Sequence, residues 1–160
     1  MELFDKIKAE HKEFNDQMTG LVGSDPVSRR EKVIALNTFV LAHQKAEEET
    51  IYEAFKELDG VPRSMALVRC EEHHVHELLT TELEDEELAD DIWVAKLKVL
   101  MFMYQHHASY EEKELYDMAV DYFTDDEIRE FLKKYEEVEG RLFAAVRYPP
   151  PSSEVLSRGQ

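Results

Sequence analysis

Apolar residues recur every three or four positions in four long stretches, separated by short runs rich in Gly, Pro, Ser and Asp. That period is the period of one face of an α-helix, and the alternation expected of strands is absent. The first stretch, about Leu3 to Leu21, carries Phe4, Ile7, Phe14, Met18 and Leu21. Gly20, Gly23, Asp25 and Pro26 interrupt it, and Ser28 is positioned to cap a second helix from about Arg29 to Leu58. Asp59, Gly60 and Pro62 close that helix. Ser64 opens a third, running to Leu83 with Val68, Val75 and Leu79 as its core line. A fourth spans about Ala89 to Tyr122, and Thr124-Asp-Asp-Glu127 has the form of a capping box that starts a shorter fifth helix to about Phe143. The tail from Tyr148, with its Pro run, is expected to be loosely ordered. The predicted fold is all-α: an antiparallel up-and-down four-helix bundle with a short fifth helix, one domain over residues 1–147 followed by a tail over 148–160.

Certain polar residues interrupt the apolar stripes in a regular way. His11 falls in line with Ile7, Phe14 and Met18. His43 follows Val40 and His107 follows Tyr104 at helical spacing, and each is trailed four residues later by a carboxylate, Glu47 and Glu111. Residues four apart share a helix face, so each copy offers an imidazole and a carboxylate to one point. A lone His on an apolar face is more often a hydrogen-bonded core residue, and a lone His-x-x-x-Glu a surface pair. Two in-phase copies plus His11 point instead to a metal site, because buried carboxylates need a cation to offset lost hydration. On the third helix, Glu72 and His76 fall within or beside the expected core line, so His76 with Glu72 completes the predicted ligands, and His73 is the alternative to His76. His74 and His106 should be exposed, Glu48 and Glu112 should lie at the rim, and Tyr52 and Tyr116 should be packing residues. Tyr104, one turn before His107, is the candidate catalytic group nearest the metals.

Composition narrows the setting. At 160 residues and 43% hydrophobic content the chain can bury a core without disulfides, and its one cysteine, Cys70, allows none internally. The opening Met1-Glu-Leu-Phe-Asp-Lys lacks the features of a secretory signal, and no apolar run approaches the roughly 20 residues that span a bilayer. A cytoplasmic location is expected, with no membrane partner. The net charge of −17 argues against nucleic acid, whose phosphates demand a basic patch. With no coiled-coil seam, a monomer or weak homo-oligomer is expected.

Taken together, His11, His43 with Glu47, the third-helix cluster Glu72-His73-His74-Val75-His76, and His107 with Glu111 resemble the hemerythrin-like (HHE cation-binding) domain family over about residues 3 to 143. The resemblance implies two iron ions with an oxo or hydroxo bridge inside the bundle, bridged also by Glu47 and Glu111, with His11, His43, His76 and His107 as terminal ligands. Manganese or zinc suit the same donors. The chain departs from the oxygen-carrying members, which have His-x-x-x-His on the third helix and His-x-x-x-x-Asp on the fourth. The implied function is binding of a small ligand (O2, peroxide or nitric oxide) for sensing, iron handling or oxidant defence. Two alternatives stand beside it: an enzyme that decomposes hydrogen peroxide or reduces nitric oxide, and a structural bundle with a vestigial site.

Overall fold

The structure, a computed structural model, describes residues 2–85 and 87–147; the tail expected to be loosely ordered lies outside the described residues. It is all-helical, with no strand among the described residues. Helix α1 (Glu2–Leu21) buries Leu3, Ile7, His11, Phe14 and Met18 along one stripe. Helix α2 (Pro26–Glu48) starts a few residues earlier than expected: the cap is Asp25, whose carboxylate accepts the Val27 N–H at 2.9 Å, and not Ser28. Pro26 occupies the first turn, where its missing N–H is no loss.

The second helix breaks before it reaches Leu58. At Thr50 the backbone leaves helical geometry (φ −120°, ψ −96°), and the chain resumes as a short α3 (Ile51–Lys56). The buried Thr50 hydroxyl donates to the Ala46 carbonyl at 2.5 Å. Such back-bonding satisfies the hydroxyl and bends the helix without a Gly or Pro to announce it. Beyond Gly60, at φ 76°, comes α4 (Val61–Glu82). The fourth rod is α5 (Asp90–Tyr110) and α6 (Tyr116–Tyr122), joined through a π-helical turn over Glu111–Leu115 with helical backbone at both joints. Helix α7 (Asp125–Arg147) follows the expected capping box, in which Thr124 N–H donates to Glu127 at 2.8 Å. At 23 residues α7 is not short; it packs on α2 and α1, burying Ile128, Tyr135 and Val138.

Helix α1 packs against α2 and α5, and α4 against the same two, so the four long helices close a ring. The core inside this ring comes in two parts. One holds Ile7, Ala46, Ile51, Phe55, Met65 and Leu115; the other holds Phe14, Met18, Val40, Leu83, Leu97 and Tyr104. Along each rod, the residues between the two parts are polar: His11; His43 and Glu47; His73 and His76; His107 and Glu111. All seven are buried.

The core line expected on the third helix is wrong. Val68 is 47% exposed, and Val75 and Leu79 are only half-buried. The inward face of α4 is Met65, Arg69, His73, His76 and Thr80, spaced at three or four residues. Two of those positions, His73 and His76, serve the polar layer, and Arg69 and Thr80 are polar as well, so the apolar residues of this helix are displaced outward. Val68→Lys should therefore change stability by less than about 0.5 kcal/mol, whereas Leu97→Ala should cost about 2–5 kcal/mol. Urea unfolding measures both; a large loss with Val68→Lys would contradict the assigned face.

Candidate metal centre

Two sets of buried ligand atoms lie within 4.8 Å of one another: His11, His43, Glu47 and Glu111, and then His73, His107, Glu47 and Glu111. The two carboxylates belong to both sets. Glu111 Oε2 is 3.0 Å from His11 Nε2, and its Oε1 is 2.9 Å from His107 Nε2. Glu47 Oε1 is 3.5 Å from His43 Nε2, and its Oε2 is 3.4 Å from His73 Nε2. Each carboxylate thus offers one oxygen to each end of an elongated site. His73 and His107 close the second end, with their Nε2 atoms 3.1 Å apart. The π-helical turn begins at Glu111; such turns insert into helices most often at functional positions.

Every imidazole is also held from behind. His43 Nδ1 lies 2.8 Å from Glu10 Oε2, and the Tyr135 hydroxyl donates to the same oxygen at 2.7 Å. His107 Nδ1 lies 2.7 Å from Glu72, and His73 Nδ1 lies 3.0 Å from Glu48. His11 Nδ1 is 3.3 Å from Glu112, whereas His76 Nδ1 accepts from the Gln44 amide nitrogen at 2.9 Å. A carboxylate at Nδ1 places the proton there and turns the Nε2 lone pair inward. That is how metal-bound histidines are oriented.

Several inward atoms lack protein hydrogen bonds. His43 and His76 Nε2 and both Glu47 oxygens are buried without one among the described residues, while His11 Nε2 and Glu111 Oε2 face only each other, at 3.0 Å. Leaving one such group unsatisfied costs about 1–3 kcal/mol, and more for a charged one. The observed groups therefore fit a metal ion: imidazole nitrogens and carboxylate oxygens are donors for iron, manganese or zinc.

The electrostatics follow from burial. Burial and the neighbouring Glu111 push Glu47 well above the ordinary carboxylate range. Glu111 goes the other way: burial opposes its charge, but His107 and His11 outweigh it. Burial likewise opposes a charge on His107, yet Glu111 and Glu72 raise it to about 9. Burial keeps His43 neutral, at about 4, and His76, at about 3. Glu10 stays ionised, at about 2, because the hydrogen bonds from His43, Lys6 and Tyr135 overcome its burial.

Of the residues expected at the site, His11, His43, Glu47, His107 and Glu111 are brought together. His73, the alternative, is in the second set, while His76 is in neither; its ring stands 5.3 Å from that of His107 with Nε2 free. Glu72 is not among the converging atoms. It sits behind His107, 2.8 Å from Arg69, because the true inward face of α4 passes through residue 73. Glu48 and Glu112 lie at the rim as expected, and His74 and His106 are exposed. Tyr52 does more than pack: its hydroxyl donates to Glu111. Glu10, Gln44 and Tyr135 were not anticipated. Glu10 adjoins His11 in sequence and is a legible neighbour; Tyr135 lies 92 residues from His43 and carries no local signal.

For metal held at these groups, His73→Ala should lose it and His106→Ala should not. Glu72→Gln should keep the stoichiometry while weakening affinity about 10- to 100-fold. Metal analysis of purified variants decides; loss with Glu72→Gln but not with His73→Ala would reverse the assignment. Metal must also displace the proton that His107 retains at neutral pH, while the raised Glu47 adds to the competition. Protons compete with metal, so affinity should rise with pH up to about 9, roughly tenfold per unit for each proton displaced. Calorimetry in buffers of different ionisation enthalpy counts those protons; affinity independent of pH would contradict the charge states.

No protein-family model, no curated protein and no solved structure matches this chain.

Proposed function

We propose that the chain is a non-haem di-iron protein of the hemerythrin-like kind, with its four long helices in an antiparallel bundle around the metals. One observation carries this reading. Glu47 and Glu111 each direct one oxygen toward a His pair at either end of the site, which is the arrangement of carboxylates that bridge two cations. Two bridging carboxylates neutralise part of the charge between the ions. The tethered imidazoles fix donor positions before metal arrives. Iron supplies a ferrous/ferric change and an affinity for O2, peroxide or nitric oxide.

The protein's own contribution is geometric and dielectric. His11 and His43 hold one end, and His73 and His107 the other, with His76 as an added donor beside His107. The first end has four donors, fewer than the six an octahedral ion accepts, which leaves room for an exogenous ligand. The apolar layers on both sides exclude bulk water and favour reversible binding. Sensing, iron handling or oxidant defence all use such binding. The third helix supplies His73-x-x-His76 where oxygen carriers have His-x-x-x-His, and Glu111 stands in place of Asp, so the donor set is not a carrier's.

A second reading, consumption of hydrogen peroxide or nitric oxide, is favoured by Tyr104, whose ring lies beside three of the imidazoles and whose buried hydroxyl has no partner among the described residues. The absorption spectrum with metal quantitation tests the main reading. Two irons per chain with near-ultraviolet charge-transfer bands that shift on adding O2, peroxide or nitric oxide are expected. A metal-free protein whose melting temperature does not move with iron or a chelator contradicts it. Sustained O2 release from peroxide, absent without iron, would favour the enzyme.

A further inference from the structure

The metal-binding reading leaves open how a ligand reaches a site whose donors are all buried. An open groove of about 670 Å³ runs along the seam between α1 and α5. Its walls include Ala9, Ala108 and Ser109, small residues that keep the two helices from sealing over it, and it reaches His11 and Tyr104. A second cavity of about 270 Å³ descends beside Ile7 and Leu115 to Glu111. Lys8 and Glu112 belong to both openings, and their charged ends are 3.9 Å apart. Both cavities thus arrive at the side of the site held by His11 and Glu111.

Tyr104 is the second observation. It is 1% exposed and forms part of the groove wall, and its hydroxyl is buried with no hydrogen bond. Its ring is 6.0 Å from that of His11, 5.4 Å from His76 and 6.2 Å from His107, and perpendicular to Phe14 at 5.4 Å. These contacts fix the ring, so the unpaired hydroxyl is not free to seek water. Buried Tyr hydroxyls normally find a partner. One left without a partner among the described residues, on a ring packed against the metal donors and in the wall of a groove that reaches His11, matches a ligand that comes and goes.

Resting on the metal-binding reading above, we propose that small anions and diatomic molecules enter by the α1/α5 seam, bind at the His11 end and accept a hydrogen bond from Tyr104. Tyr104 then sets affinity and orientation for the exogenous ligand, and the seam sets the rate of entry.

Azide is a suitable probe, with its charge-transfer band on the iron-loaded protein as readout. Tyr104→Phe should load iron fully and keep its fold, yet bind azide about tenfold more weakly, the value of one hydrogen bond to an anion. Ala9→Trp, at an exposed position in the mouth of the groove, should slow azide association at least about tenfold by stopped flow while leaving iron content unchanged. Glu71→Trp, on the exposed side of α4, should do neither. Natural-sequence affinity in Tyr104→Phe, or natural-sequence association in Ala9→Trp, overturns the proposal. If Tyr104→Phe fails to load iron, the Ala9→Trp rate alone decides. Absence of iron in the natural chain is a different failure, that of the metal-binding reading itself.

Discussion

Everything in this molecule is arranged around a buried layer of imidazole nitrogens and carboxylate oxygens that face inward, several of them without a hydrogen bond among the described residues. Four helical rods each cross from one apolar cluster to another by way of His or Glu. Hydrophobic burial on both sides holds the rods together, and the layer between them would be destabilising if nothing filled it. The imidazoles are not left to choose their orientation. Nδ1 of His11, His43, His73 and His107 each faces a carboxylate from another helix, which turns Nε2 to the centre, whereas His76 Nδ1 accepts from the Gln44 amide. The outer partners impose the chemistry as much as the donors do.

The charge distribution has the same origin. Two carboxylates share a dry space, and they do not both ionise easily there. His107 retains its proton and pairs with Glu111, while burial and the neighbouring Glu111 oppose a charge on Glu47. Glu10 remains charged outside this circle because three donors reach it. It anchors the back of His43 and ties α7, through Tyr135, to the site.

How much of this was legible depended on whether a signal was local. His11, His43, Glu47, His107 and Glu111 stood out because they interrupt otherwise regular apolar stripes on their own helices. The third helix misled because Val68, Val75 and Leu79 line up at helical spacing yet are exposed or only half-buried, so the apolar phase pointed away from the core. His73 and the outer place of Glu72 both follow from that one rotation. The break at Thr50 was hidden because a Thr back-bond bends a helix without any breaker residue. The length of α7 was underestimated, and its Tyr135 reaches the site only through tertiary packing that no local spacing encodes.

X-ray absorption at the iron edge of the loaded protein tests the central claim most directly. Two cations bridged by Glu47 and Glu111 predict a metal–metal scattering path at about 3.5 Å, with a first shell of mixed nitrogen and oxygen donors. A single isolated iron, with no metal neighbour and no imidazole scattering, would contradict it.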